Sequence, residues 1–199
     1  MVKIAIVYYS MYGHVRHLAL GIQKGVESAG AVGDLFQIQE TLPDEILKKM
    51  GAPPKSDDPI IKPALLEEYD GILFGVSARY GGLSAQLQAF LDSTGGLWQA
   101  GKLVGKPTGV FISTANQGSG QETAALCVAR FAAHQGMVFV PLGYRDPSLF
   151  NNDEAHGGGP WGAGTLANGD GSRQPSKLEL KVCAVQGNSF ASIAEKLSK

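Results

Sequence analysis

Apolar runs of four to six residues, at 4–8, 71–76, 109–113 and 137–140, recur along the chain with helix-length amphipathic stretches between them. No other feature narrows the fold as far. A strand that is apolar at successive positions needs apolar cover on both faces, and this points to a parallel sheet sandwiched by helices. Residues 33–38 are less regular and add one more strand. The first helix takes Val15, Leu18, Ile22 and Val26 at spacings of three and four, and Gly30 stands where a helix stop is expected. Further helices are predicted over 85–93, 122–135 and 178–197, the last containing Gly187, which costs about 1 kcal/mol relative to alanine in a helix interior. Two stretches read as loops, 43–63 and 141–175, the second carrying His156-Gly157-Gly158-Gly159-Pro160-Trp161-Gly162. Structureless stretches of this length usually serve a site or an interface.

The pattern predicts an α/β fold in one domain spanning 1–199: a doubly wound, five-stranded parallel sheet of order 2-1-3-4-5 with helices on both faces. In such sheets ligands bind beyond the carboxyl ends of the strands, at the switch point. Three loops meet there, 10–15, 77–82 and 113–120, each rich in Ser, Thr, Gly or Asn and poor in charge. The first reads as a phosphate cradle, because a helix start leaves backbone N–H groups unpaired beside the positive end of the helix dipole and the Ser10 hydroxyl. No Lys or Arg lies between Ile4 and Val15, and neither G-x-x-x-x-G-K-[ST] nor G-x-G-x-x-G follows the strand. A terminal monophosphate such as that of FMN matches best. The bland alternative is a turn capped by Ser10, with Gly13 relieving strain.

Other positions stay open on their residues alone. Tyr12 suits either surface packing or stacking over a cofactor, and Arg79 suits either a surface charge or a cofactor or subunit contact, with Tyr80 then facing the ring. Trp98, after Thr94-Gly95-Gly96-Leu97, is either a core anchor at a helix end or an aromatic wall for a flat substrate. His134, near a helix end, suits a dipole-compensating cap more readily than a catalyst.

Several function classes are excluded. A formal net charge of −1 with no basic run beyond two residues leaves no footprint for nucleic acid or an anionic membrane. Cys127 and Cys183 have no metal spacing, and neither H-E-x-x-H nor C-x-x-C occurs, so no metal is expected. G-x-S-x-G is absent, and the third strand ends in Ser77 where a receiver domain needs a phosphoacceptor Asp. With the first strand beginning at residue 3 and no apolar run near the roughly 20 residues of a membrane span, a cytoplasmic protein is expected.

Three motifs, Tyr8-Tyr9-Ser10-Met11-Tyr12-Gly13-His14, Phe90-Leu91-Asp92-Ser93-Thr94-Gly95-Gly96-Leu97-Trp98 and Gly169-Asp170-Gly171-Ser172-Arg173-Gln174-Pro175-Ser176, resemble the WrbA family of flavodoxin-like NAD(P)H:quinone oxidoreductases, almost end to end. The resemblance implies the flavodoxin-like fold, FMN as cofactor, NADH or NADPH as co-substrate, a quinone as acceptor, and a homotetramer with a dimer as sub-assembly. By likeness, Ser10, Met11, Tyr12, Gly13, His14 and Val15 bind the FMN phosphate and ribityl chain, and Ala78, Arg79 and Tyr80 the flavin ring. Ser113, Thr114, Ala115, Asn116, Gln117 and Gly118 take the ring and ribityl edge. Tyr12 resembles the nicotinamide-nucleotide contact, Trp98 the quinone-side wall and His134 a flavin-pocket residue. The expected cycle is ping-pong, both substrates using one slot against Trp98 and Tyr80, with His134 or solvent supplying the proton. Two departures stand out: Ala78-Arg79-Tyr80 replaces the common Thr-Arg-Phe, and the third loop is bulkier and one residue longer. The rivals are a single-electron carrier, whose type is strongly acidic where this chain is nearly neutral, and a flavin-free scaffold or stress-response protein.

Overall fold

The computed structural model describes residues 1–198. β1 (Lys3–Tyr8) pairs in parallel with β2 (Val32–Gln37) on one side and β3 (Gly71–Ser77) on the other, and β4 (Pro107–Thr114) extends the sheet beyond β3. The order 2-1-3-4-5 follows, with the switch point between β1 and β3.

The fifth position is divided. β5 (Val138–Phe139) lies against Pro107 and Thr108 at the start of β4, and β6 (Gly164–Leu166) lies against Ile112 to Thr114 at its end. Both run parallel to β4, and residues 140–163 leave the sheet between them. The sheet therefore has six strands where five were expected, and 141–175 is not all loop. A three-residue strand opening on glycine is too short for periodicity to reveal. The expectation for 43–63 is corrected as well, because α2 (Asp44–Lys49) forms inside it. Its first turn carries Asp44 and Glu45 and its last Lys48 and Lys49, matching the helix dipole, yet it buries no residue and so shows no apolar stripe.

Alternate residues of β1 feed two cores. Ile4, Ile6 and Tyr8 join Leu73 and Phe111 beneath α1 (His14–Ser28) and α6 (Lys177–Leu197). Ala5 and Val7, with Tyr9 just past the strand, join Phe74, Val76, Val110 and Ile112 beneath α3 (Ala85–Asp92), α4 (Gly95–Gln99) and α5 (Gln121–Gln135). The predicted stripe of α1, Val15, Leu18, Ile22 and Val26, is buried, each side chain contributing about 1.5–3 kcal/mol. Gly30, at φ 79°, supplies the left-handed residue that ends α1. α6 begins with a capping box: the Ser176 hydroxyl accepts from Glu179 N–H at 3.2 Å, and the Glu179 carboxylate accepts from Ser176 N–H at 2.7 Å. Among the described residues no helix is long and apolar enough to cross a membrane.

Candidate functional site

The carboxyl ends of β1, β3, β4 and β6 open onto one cleft of about 540 Å³. Ser10, Met11 and Tyr12 enter it after β1, with His14 and Val15 at the start of α1. Ser77, Ala78 and Arg79 enter after β3, and Ser113, Thr114 and Ala115 from the end of β4. The second and third loops are tied together, since Ala78 N–H donates to Ser113 O at 3.0 Å.

Gly13, at φ 92°, turns the chain into α1 in a left-handed conformation that a side chain would strain. No side chain caps the helix in the usual way, and Ser10 Oγ only accepts a long 3.4 Å bond from Arg16 N–H. The N–H groups of His14 and Val15 have no acceptor within the helix, as at any helix start. The charge of Arg16 is committed elsewhere, its guanidinium lying on Asp58 at 2.8 and 3.2 Å. Arg79 folds back on its own loop, donating to Ser77 Oγ and Ala78 O, both at 3.0 Å. Asp170 is the one carboxylate lining the cleft among the described residues; Ser172 donates to it through its hydroxyl at 2.7 Å and its N–H at 3.0 Å, which holds the carboxyl below its ordinary range.

Residues 40–58 strap the first loop from behind. Glu40 accepts from the Tyr9 hydroxyl, Lys55 Nζ and Gln86 Nε2, all at 2.8 Å, and from the N–H groups of Thr41 and Leu42. Burial pushes this carboxyl up, but Lys55, the Leu42 N–H, Tyr9 and the Thr41 N–H outweigh it and hold it at about 2. Lys55 also lies 5.0 Å over the Tyr9 ring and reaches Ser10 O at 3.5 Å. A second knot joins Tyr8, Ser56, Asp58 and Arg16, in which Arg16 above all holds the Asp58 carboxyl down, while burial and Asp58 push the Tyr8 phenol up to about 12. Because Glu40 ionises more readily folded than unfolded, its contribution is complete above about pH 4.5 and is lost as pH falls through about 2. Unfolding titrations across that window are expected to show stability falling by about 3 kcal/mol from this group, and Glu40→Gln to flatten that part of the profile.

The cleft contains residues that the sequence reading did not assign to it: Ala167 to Gly171 form a fourth wall, and Met50 with Gly51 a rim. The Tyr12 hydroxyl donates to Met50 O at 3.2 Å and so joins that rim to the first loop. The sequence marks this fourth wall as part of a long loop and of the Gly169–Ser176 motif without placing it at the cleft, and locally as the turn-forming run Asn168-Gly169-Asp170-Gly171-Ser172, in which Asn168 and Gly171 adopt φ 64° and 75°.

Other candidate residues lie outside the cleft. Tyr80, fully exposed at φ 51°, and Gly118 line a neighbouring open depression, and Asn116 and Gln117 line a further one beside His156. Trp98, on α4, and His134, in the last turn of α5, sit where the chain is about to enter the opposite ends of β4 and β5. Gln135 Nε2 donates to Thr94 Oγ1 at 2.8 Å, placing the two helix ends side by side. The eight residues of β4, at about 3.3 Å each, separate that end from the cleft by roughly 25 Å. Both side chains are solvent-exposed, Trp98 by 61%.

Comparison with known proteins agrees with this architecture. The Flavodoxin family profile matches residues 6–133. The chain is 53% identical over 199 residues to Quinone-oxidoreductase QR2 of Triphysaria versicolor, covering 99% of this chain and 97% of that one. It is 53% identical over 200 residues to NAD(P)H quinone oxidoreductase YCP4 of Candida albicans, covering 99% of this chain and 69% of the relative. Among solved structures, the flavodoxin, WrbA-like protein from Agrobacterium tumefaciens superposes with a TM-score of 0.67 at 22% identity, covering 98% and 99% of the two chains.

Proposed function

Since the chain belongs to the flavodoxin family and is similar to NAD(P)H quinone oxidoreductases over nearly its whole length, we propose that it is a WrbA-like, FMN-dependent enzyme carrying two electrons from NADH or NADPH to a quinone. The observation that carries the reading is the cleft at the switch point, built from loops that offer amides and hydroxyls and almost no charge. Its volume lies within the 300–1,000 Å³ typical of small-molecule sites. The left-handed Gly13 and the free N–H groups behind it suit a phosphate, and the apolar flanks of Met11, Val15, Ala115 and Ala167 suit a flat ring system.

When bound, the flavin supplies the hydride chemistry, and the protein supplies placement. Ser10 to Val15 hold the phosphate end. Ala78 and Arg79, with Ser113, Thr114 and Ala115, hold the ring and ribityl edge, Tyr80 and Asn116 to Gly118 lie in the depressions beside it, and the Ala78 N–H is spent on joining the two loops rather than on a ligand. Tyr12 covers the nicotinamide side. Trp98 and His134 stand at the far end of the sheet, so a role for them at the ring requires a second copy of the chain, in keeping with a tetramer built from dimers. In that assembly Trp98 walls the quinone slot and His134 stands ready to give a proton to the reduced quinone oxygen.

The test is the visible spectrum of purified protein with and without FMN, followed by bleaching with NAD(P)H and turnover of benzoquinone without any reductase. A flavin spectrum, bleaching, and parallel lines in steady-state double-reciprocal plots are expected. Protein that takes up no FMN overturns the reading. Turnover only through a partner reductase favours the carrier, and intersecting lines remove the shared slot.

A further inference from the structure

His14 is the first residue of α1, lines the cleft and is 95% buried, 5% of its surface remaining exposed. Its Nε2 lies 2.9 Å from the carbonyl oxygen of Arg173. A carbonyl can only accept, so Nε2 carries the hydrogen and the tautomer is set by the main chain. Nδ1 has no hydrogen-bond partner among the described residues. Among the described residues the sealed, unpartnered side-chain atoms are Thr108 Oγ1 and Gln135 Oε1, so His14 Nδ1 keeps its access to the cleft.

We propose that His14 is a proton-coupled phosphate ligand: Nδ1 takes a proton from solvent as the phosphate of FMN seats at the start of α1. This rests on the flavin reading above. The neutral ring presents a lone pair, which repels a phosphate dianion; the protonated ring presents a charge-assisted donor. One N–H bond forms, one solvent proton is consumed and no bond in the protein breaks. The charges around the ring leave this role to His14. On α1, Arg16 is held by Asp58, and His17 Nδ1 faces Gln174 Oε1 at 3.1 Å. On the adjoining loop the guanidinium of Arg173 is turned away onto Glu179, and Asp170 is engaged by Ser172. Across the cleft Arg79 is folded onto its own loop, and Lys55 behind the first loop is paired with Glu40.

Calorimetric titration with FMN from pH 7 to 9, in two buffers of different ionisation enthalpy, reads both affinity and proton uptake. The ligand phosphate, whose second pKa is about 6, stays dianionic over that range. The expected result is uptake of up to one proton and a Kd that rises by up to about ten-fold per pH unit. Riboflavin, which lacks the phosphate, is expected to bind with neither effect. His14→Gln keeps an amide able to donate to the Arg173 carbonyl, and is expected to bind FMN with a pH-independent Kd. Wild-type protein that binds FMN with a flat Kd and no proton uptake overturns the proposal and leaves the flavin reading standing, and so does an unchanged pH slope in His14→Gln. Protein that binds no FMN at any pH overturns both. The wild-type proton count decides the matter even if the variant fails to fold.

Discussion

Arg173→Met is expected to destabilise the fold by about 3–5 kcal/mol, among the larger losses available from one side chain. Glu179 is completely buried, and its carboxylate accepts from Gly157 N–H at 2.9 Å, Thr165 Oγ1 at 2.8 Å, Ser176 N–H at 2.7 Å and Arg173 Nη1 at 2.9 and 3.1 Å. The three neutral donors remain in the variant, but the one countercharge paired with Glu179 among the described residues goes, and a buried anion without one is the costly half of a broken pair. Arg173 also donates to Leu166 O at 2.7 Å and Ala155 O at 3.1 Å, and its N–H to Ala167 O at 3.1 Å. The pair therefore hangs the fourth wall of the cleft, residues 167–171, from the start of α6. Urea unfolding measures the loss. Adding Glu179→Gln to the variant is expected to recover part of it, because the uncompensated charge then disappears. A loss below about 1 kcal/mol would show that the neutral donors alone satisfy the carboxylate. FMN affinity is expected to fall in the single variant even at temperatures where it remains folded, since one wall of the cleft has lost its anchor.

What the sequence made legible was whatever depends on nearest neighbours along the chain. The apolar runs located β1, β3 and β4, and the Ser- and Gly-rich segments after them located three walls of the cleft, because strand ends and turn chemistry are local properties. α2 and α4 escaped because one buries nothing and the other opens on Gly95-Gly96, poor helix formers held by tertiary contacts. The fourth wall escaped for a different reason. Its attachment runs from Arg173 to Glu179 and from Arg173 O to His14, the latter 159 residues apart, and no periodicity encodes such a pairing. Trp98 and His134 show the limit of motif likeness: it singles out residues along the chain and says nothing about the end of the sheet on which the fold sets them, here the one opposite the cleft.

Gly187→Ala inverts what helix propensity alone predicts. In an exposed helix interior the change gains about 1 kcal/mol. Here a Cβ at 187 would overlap the carbonyl oxygen of Ile22 and stand 2.9 Å from Val26 N, both main-chain atoms of α1. The contact is reciprocal: a Cβ at Gly25 would overlap Ala184 O, and one at Gly21 would stand 2.9 Å from Cys183 Cβ. α1 and α6 thus meet backbone to backbone, and neither partner has a rotamer with which to give way. Relief requires α1 to move off α6, loosening Ile22 and Val26 against Phe190 and Ala194. Overpacking of this kind costs about 1–3 kcal/mol, and with an unyielding neighbour the upper end applies, so a net loss of about 2 kcal/mol is expected, or on the order of 4–8 °C in Tm. Ser192→Ala, at an exposed site on the same helix, is the control and is expected to leave Tm unchanged or slightly raised. A shift of α1 also moves its first turn, which carries Gly13, His14 and Val15, so FMN titration of Gly187→Ala is expected to show weaker binding from a substitution at the α1–α6 contact, away from the cleft lining. A Tm that rises would mean that the two helices can separate freely, and the backbone contact would lose its claim to position the first loop.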